Sequence, residues 1–230
     1  LSQQAAQGNS RAQATSSLSA AYDALEAATS PAATLLLLRD GVQGLEVLMT
    51  RRSSTASFAP GVFVFPGGKI DPQDQLDAQN PYLLDNDADL GQAITAAKVA
   101  AIRESFEELG IAFIEDKKRQ YLSPEKIAQL QRDLPLTQQC LDNEWCFASS
   151  KVFHYLHWIT DRDMPRRFDV PFFVAKMPPH QEPVADQAEQ FEPQWVAPAQ
   201  ALKRHSAGDF LMIYPTIKTL EHLAKFSHTE

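Results

Sequence analysis

Short apolar segments, each ended by a turn signal, alternate with helix-favouring stretches along this chain of 230 residues. The segments "ATLLLL" (residues 33–38) and "LEVLMT" (45–50) flank the turn dipeptide Asp40-Gly41, which predicts a β-hairpin. "GVFVF" (61–65) predicts a third strand, ended by the breaker run Pro66-Gly67-Gly68, hereafter the glycine turn. Interspersed strands and helices in one chain predict an α/β or α+β sandwich with a mixed sheet.

The later part of the chain continues this alternation. A long helix is predicted from residue 93 to 109 with Gly110 as its C-terminal cap, and a second begins with Ser123 as N-cap and Pro124 as its first residue. The remaining predictions are helices at 136–143, 198–205 and 216–226, and strands at 111–114, 151–160, 170–178 and 195–196.

A chain of this length can bury one sizeable core, and nothing in it demands two domains. Residues 1–30 predict an N-terminal arm, partly disordered, with a short amphipathic helix indicated by the spacing of Leu18, Tyr22 and Leu25. A single domain is predicted over 31–230. Within it, residues 71–90 are rich in Asp, Asn, Gln and Pro without a sustained period, which predicts a surface loop or insertion.

Composition disfavours several classes of partner. A formal net charge of −8 gives no field that attracts a polyanion, which argues against nucleic acid as a partner. The longest apolar run, residues 32–38, is far shorter than the roughly 20 residues of a membrane span. Cys140 and Cys146 are too few for a disulfide framework and predict two buried free thiols in a reducing compartment. We therefore expect a soluble, cytoplasmic protein without membrane or nucleic-acid partners.

The segment "RESFEELG" (103–110) places Glu104, Glu107 and Glu108 on one face of the predicted long helix. Like charges at this spacing repel by a few tenths of a kcal/mol per pair. Hard divalent cations such as Mg²⁺ or Mn²⁺ prefer oxygen ligands and would remove that repulsion. The alternative is an ordinary solvated face of a surface helix.

Together with "FPGGKIDPQD" (65–74), the segment "RESFEELGI" resembles the Nudix box of the Nudix hydrolases. In that pattern Gly68 is the first residue, and Arg103, Glu104, Glu107, Glu108, Gly110 and Ile111 form the closing part. Asp74 stands where the box has a glutamate, and Ser105 stands where an aliphatic residue is usual. Arg103 follows Asp74 after an interruption of about 21 residues relative to the family pattern. Asp71 and Asp74 are both candidates for the acidic partner of Arg103.

The interrupted box resembles that of a Nudix subgroup similar to the mammalian Nudix-motif-19 coenzyme A diphosphatase. Proteins of this subgroup carry a long insert at the same point of the box. The segments "HWITDRDMPRRFDVPFFVAKMP" and "GDFLMIYPTIKTLEHL" extend the likeness over roughly residues 33–223. The resemblance implies an α/β fold, the Nudix α/β/α sandwich with a mixed β-sheet. It also implies an insertion at about 75–92. This insertion is a candidate lid, substrate wall or dimer contact, so a homodimer is one of the alternatives.

The resemblance implies a metal-dependent hydrolase that cleaves the diphosphate linkage of a nucleoside diphosphate joined to another moiety. Coenzyme A or an acyl derivative is the first candidate substrate; ADP-ribose, NADH and nucleoside triphosphates stay open, as does a silent domain that binds a nucleotide. Glu107 and Glu108 are implied as core ligands of Mg²⁺ or Mn²⁺, with Glu104 as an additional ligand and the Gly68 carbonyl as a backbone ligand. Arg103 is implied as the residue that orients this catalytic set.

Family members often use a further acidic residue from a distant loop as metal ligand or base, for which Asp186, Glu189 and Glu192 are candidates and Glu189 is preferred. Solvated loop acids are the alternative. Arginine suits phosphate because its planar fork donates two hydrogen bonds at once. The candidate substrate-binding cations are Arg51, Arg52, Arg166 and Arg167, for which surface solubility is the alternative.

His154 and His157 resemble a metal-binding pair only loosely. On a regular strand, a spacing of three residues places two side chains on opposite faces. The pattern therefore predicts two ordinary strand residues.

Overall fold

The computed structural model describes residues 29–42, 44–56, 58–84 and 91–229. The N-terminal arm predicted for residues 1–30 lies outside these ranges up to residue 28, as do residues 85–90 of the predicted insertion. No helix in the described ranges combines the length and apolar character needed to cross a bilayer.

Nine strands and six helices make up the described chain. The strands are β1 (Ser30–Gly41), β2 (Gly44–Arg52), β3 (Phe63–Val64), β4 (Gly67–Lys69), β5 (Ile114–Glu115), β6 (Cys146–Phe147), β7 (Phe153–Ile159), β8 (Phe168–Lys176) and β9 (Gln190–Val196). The helices are α1 (Pro72–Asp77), α2 (Gln92–Leu109), α3 (Pro124–Ile127), α4 (Leu136–Asp142), α5 (Pro198–Ala207) and α6 (Tyr214–Leu223). A 3₁₀ turn covers Ser149–Lys151.

The main sheet has the strand order β3-β2-β1-β8-β7, with β4 also paired to β1 and β9 also paired to β2. β1 and β8 are parallel, whereas the other pairs in this sheet are antiparallel, so the sheet is mixed. β5 and β6 form a separate two-stranded sheet. The pairing of β4 with the first half of β1 brings the glycine turn to the middle of the main sheet.

Helices cover both faces of the main sheet. Along β1, Leu35 and Leu37 pack with α2 in one apolar cluster, whereas Leu36 and Leu38 pack with α5 and α6 in the other. Alternate side chains of a strand point to opposite faces, so a run of four leucines is expected where both faces are buried. This arrangement is the predicted α/β/α sandwich with a mixed sheet.

The predicted hairpin and the long helix are confirmed. β1 and β2 pair as far as Gly41 and Gly44. α2 ends at Gly110, which adopts the left-handed conformation (φ 71°) expected of a glycine cap. Helices near 136–142, 198–207 and 214–223 also match the sequence.

Three local predictions differ from the structure. Residues 72–77, predicted as loop, form α1, which begins with Pro72 at its first turn and an Asp71–Asp74 capping box. The helix predicted from Ser123 is a single turn, Pro124–Ile127. The strand predicted at 111–114 is reduced to Ile114–Glu115, because the chain before it closes the C-terminal end of α2.

The prediction that His154 and His157 lie on opposite faces is wrong. The pairing of β7 with β8 shifts register between His154 and Leu156, and a bulge of this kind turns the following side chains to the other face. The two imidazole rings meet edge to face with centroids 6.2 Å apart. His157 also bonds Asp169 on β8.

Both cysteines are free thiols, as predicted. Cys140 is buried on α4, and burial raises the pKa of its thiol. Cys146 is only partly buried, so the expectation of two buried thiols holds for Cys140 alone.

Candidate active site

The two glycines of the glycine turn lie closer to their neighbours than a residue with a Cβ could without a clash. Gly67 has a φ of 151°, and a Cβ there would lie 2.2 Å from the carbonyl oxygen of Ala33. A Cβ on Gly68 would lie 2.1 Å from Oε1 of Glu104. The absence of side chains therefore lets β4 approach β1 on one side and the Glu104 carboxylate on the other.

Glu108 is held inside this turn from two directions. Its Oε2 accepts a hydrogen bond of 3.0 Å from the backbone N–H of Gly67, and its Oε1 accepts one of 2.7 Å from Nε2 of Gln190. The residue is only 5% exposed. Burial raises the pKa of Glu108 to about 8, although the hydrogen bond from Gln190 acts in the opposite direction.

Glu104 and Glu107 complete the carboxylate cluster, defined here as Glu104, Glu107 and Glu108. Burial raises the pKa of Glu104 to about 7; Arg103 opposes this shift and the charge of Glu107 adds to it. Glu107 is more open, with 40% of its side chain exposed. The cluster thus combines a buried carboxylate with a solvent-accessible one on a single helix.

Arg103 joins the carboxylate cluster to α1. Its Nε and Nη2 each donate a hydrogen bond of 2.9 Å to the carboxylate of Asp74, which is 1% exposed. Its Nη1 donates to Glu104 at 3.0 Å and to Glu107 at 2.8 Å. Asp74, rather than Asp71 at 3.8 Å, is therefore the close acidic partner of Arg103.

The cluster fits a hard cation by its donor set. Glu108 receives hydrogen bonds from neutral groups, and its raised pKa reflects the cost of holding a buried negative charge there. Within the described ranges, no group of three or more His, Cys, Asp or Glu side chains is already converged around a common point. The Arg103 guanidinium forms ion pairs with Glu104 and Glu107.

The carboxylate cluster opens into a cavity of about 1020 Å³, the central cavity. One face of the main sheet forms the floor of this cavity through side chains that alternate along the strands. These side chains are Ala32 and Thr34 of β1, Phe168, Val170 and Phe172 of β8, and Trp158 of β7. Crossing from β4 over β1 and β8 to β7 takes three strand spacings, roughly 14 Å. The glycine turn, the carboxylate cluster and several aromatic side chains all line this cavity.

Three of the four predicted substrate-binding arginines line the central cavity, namely Arg52, Arg166 and Arg167. Arg51 does not. It forms an ion pair with Glu192, and both residues line a second, smaller cleft of about 300 Å³ together with Arg204 and Asp209. Neighbouring residues of a strand point to opposite faces of the sheet, which explains why Arg51 and Arg52 of β2 line different cavities.

The loop before β9 brings Asp186 and Glu189 to the central cavity. The Asp186 carboxylate accepts hydrogen bonds from the backbone N–H groups of Ala188, Glu189 and Gln190. Asp186 therefore shapes the loop, and Glu189 is exposed on it. The charge of Glu189 contributes to the raised pKa of Glu104, which indicates that the two carboxylates share one electrostatic environment.

Sequence reasoning missed three residues that support the site. Arg132 donates to the carbonyl oxygens of Glu107 and Val184, and so ties the end of α2 to the loop before β9. Thr50 and Gln190 are fully buried, and the Thr50 hydroxyl donates to Oε1 of Gln190 at 2.7 Å. No local pattern marks these residues, because their partners are distant in sequence.

Comparison with known proteins agrees with this geometry. A solved structure of a NUDIX hydrolase from Alicyclobacillus acidocaldarius superposes with a TM-score of 0.72 and 29% identity, covering 87% of this chain and 93% of that one. The chain has the Nudix fold and is similar to Nudix hydrolases over most of its length. The residues that resemble the Nudix box lie on the glycine turn, α1 and α2. No protein-family model matches the sequence.

Two curated relatives are more distant. A Caenorhabditis elegans protein that carries the name nudix hydrolase 7 is 27% identical over 182 residues, or 78% of this chain. Acyl-coenzyme A diphosphatase NUDT19 of Xenopus laevis is 24% identical over an alignment 238 residues long, gaps included, which covers 79% of this chain. The chain spans 56% and 60% of the length of these two relatives.

Proposed function

We propose that this Nudix protein is a diphosphatase that hydrolyses a nucleoside diphosphate linked to a second moiety, with Mg²⁺ or Mn²⁺ as cofactor. The observation that carries the proposal is the carboxylate cluster beside the glycine turn, in a cavity of about 1020 Å³ that arginines and aromatic side chains also line. A diphosphate needs charge neutralisation, and a substrate with two large halves needs a cavity of this size.

The residues fit a division of tasks. Glu107 and Glu108 would be the core metal ligands, with Glu104 and the Gly68 carbonyl as additional ones. A bound divalent cation supplies neutralisation of phosphate oxygens and a lowered pKa for a bound water. Arg103 orients the cluster through its bonds to Glu104, Glu107 and Asp74. The Glu189 carboxylate, exposed on the cavity wall, accepts the proton of the attacking water.

Coenzyme A or an acyl derivative is the first candidate substrate. The similarity to the acyl-coenzyme A diphosphatase of Xenopus laevis supports it, as does a cavity that offers arginines for phosphate and an apolar floor for a long organic moiety. Arg52 and Arg167 are the arginines proposed to contact phosphate. Arg51 has no place in this proposal, because it lines the smaller cleft.

ADP-ribose, NADH and nucleoside triphosphates are the alternative substrates, and a silent nucleotide-binding domain is the alternative function. The test is a substrate panel with purified protein and either Mg²⁺ or Mn²⁺, in which released phosphorylated products are identified by mass spectrometry. We expect coenzyme A to give 3′,5′-ADP and 4′-phosphopantetheine. Release of product from none of these compounds would favour the silent domain.

A further inference from the structure

We propose that Thr50 and Gln190 form a buried relay that aims the Glu108 carboxylate into the central cavity and fastens the loop carrying Glu189 to α2. Both are positioning residues, since each acts through another side chain. The inference rests on the proposed function, because it concerns how the proposed metal ligand and base are held.

The relay has one consistent hydrogen-bond direction. In the ionised form that binds a cation, the Glu108 carboxylate only accepts, so the Gln190 amide must turn its Nε2 toward Glu108, which lies 2.7 Å away. Its Oε1 then faces Thr50, and the hydroxyl of Thr50 must donate to it across 2.7 Å. By donating to Oε1, Thr50 satisfies the oxygen end of the amide and stabilises the orientation in which Nε2 meets Glu108. A rotated amide would turn an oxygen toward the carboxylate.

The relay leaves Glu108 able to bind a cation. Gln190 contacts Oε1 and the Gly67 N–H contacts Oε2, so each oxygen accepts one hydrogen bond and keeps a second lone pair. The carboxylate plane is thus set from both sides before any ligand arrives. Fixed outer partners of this kind orient ligands at metal sites.

The same contacts position the loop before β9. The Asp186 N–H donates to the Glu108 carbonyl oxygen at 2.9 Å, and the Val184 N–H donates to the Leu109 carbonyl oxygen at 2.9 Å. Gln190 closes this loop on its other side and directly follows Glu189. Displacing Gln190 would therefore move both Glu108 and Glu189, which links the proposed ligand to the proposed base.

The Thr50→Val and Thr50→Ser variants test the relay as a matched pair. Valine keeps the shape of threonine but removes the hydroxyl, whereas serine keeps the hydroxyl. The measurement is the dissociation constant for Mn²⁺ on the 230-residue chain, from the electron paramagnetic resonance signal of free Mn²⁺. We expect Thr50→Val to weaken binding about 10- to 100-fold and Thr50→Ser to stay within about twofold of the unsubstituted chain.

Gln190→Leu provides a second test that does not depend on metal. We expect faster hydrogen exchange at the backbone amides of residues 186–190 in the metal-free protein, because the loop loses its contact to Glu108. The Thr50 pair is close in size to threonine and keeps the proposal testable if Gln190→Leu does not fold.

The outcomes separate the relay from the proposed function. Equal Mn²⁺ affinity in Thr50→Val and the unsubstituted chain would overturn the relay and leave the function standing. Equal weakening in Thr50→Val and Thr50→Ser would also overturn it, since packing rather than the hydroxyl would then be responsible. Absence of Mn²⁺ binding by the unsubstituted chain would overturn both.

Discussion

Asp74 and Arg103 are joined by two hydrogen bonds of 2.9 Å each, although they lie 29 positions apart. The pair bridges the interruption of the Nudix box. α1, which carries Asp74, packs against α2, which carries Arg103, so the residues between the two helices do not separate the pair. The shorter aspartate therefore serves where the family pattern has a glutamate.

Replacing Asp74 with asparagine should destabilise the fold. The change removes the buried charge that faces the mostly buried Arg103 guanidinium, and breaking such a pair costs about 3 kcal/mol. The measurement is the free energy of unfolding in urea. Asp71→Asn is the matched control, since Asp71 is 61% exposed and 3.8 Å from Arg103, and it should cost less than about 1 kcal/mol. Equal losses in both variants would contradict the assignment of Asp74.

Gly68→Ala should weaken Mn²⁺ binding with little effect on the stability of the fold. The new Cβ would occupy the position of the Glu104 carboxylate, which can move aside because it ends a flexible side chain. We expect a loss of Mn²⁺ affinity of about tenfold or more, with a change in unfolding free energy below about 1 kcal/mol. Gly91→Ala is the converse control, since Gly91 has a φ of 76° and open space around it: this variant should lose stability through backbone strain and keep its Mn²⁺ affinity. Unchanged Mn²⁺ affinity in Gly68→Ala would remove Glu104 from the ligand set.

The fold was predictable where local patterns and global packing agree. The four leucines of β1 and the glycine-capped α2 follow from such patterns. The bulge in β7 was not predictable, because it depends on the pairing of β7 with β8 rather than on the sequence around His154 and His157. A one-residue shift of register reverses the face of every later side chain, so a strand pattern alone cannot settle it.

The candidate site shows the same division. The shared face of the carboxylate cluster was predicted from helical spacing, and Gly68 from the resemblance to the Nudix box; all four residues line the central cavity. The role of Gln190 could not be predicted from the sequence, because it depends on contacts with distant residues. Thr50 lies 140 positions earlier and Glu108 lies 82 positions earlier. Arg51 was predicted to bind substrate together with its neighbour Arg52, but it lines the smaller cleft instead of the central cavity.

Glu107→Gln should nearly abolish turnover and leave the fold intact. The substitution keeps the shape of the side chain but removes a negative charge from the proposed metal ligand set, so we expect kcat to fall more than about 100-fold, beyond the effect of losing an outer partner. Circular dichroism should show an unchanged fold. Glu125→Gln, on the exposed α3 helix, is the control and should retain full activity. Unchanged turnover in Glu107→Gln would refute the metal assignment.

Glu189→Gln and Glu192→Gln distinguish the two candidate bases. Glu189 lines the central cavity, whereas Glu192 pairs with Arg51 at the smaller cleft. We expect kcat to fall about 10²- to 10⁴-fold in Glu189→Gln, the usual contribution of a general base, with KM little changed. Glu192→Gln should have normal kinetics. The reverse result would move the base to Glu192.

Metal-free protein should become less stable as pH rises from about 5 to 8. The pKa of Glu104 is raised to about 7 and that of Glu108 to about 8, so across this window the folded state binds more protons than the unfolded state. Stability then falls with rising pH, because deprotonation leaves buried charge in the fold. We expect the melting temperature to fall by at least about 4 °C, given ~2–4 °C per kcal/mol for a chain of this size.

Glu108→Gln isolates that effect from other titrating groups. Without the carboxylate, the decline of melting temperature with pH should be shallower than in the unsubstituted chain. Mn²⁺ should raise the melting temperature of the unsubstituted chain more at pH ~8 than at pH ~5, since the ligands must be deprotonated to bind metal. Parallel pH profiles for the two proteins would show that Glu108 carries no buried charge, and the cluster would then lack its strongest reason to bind a cation.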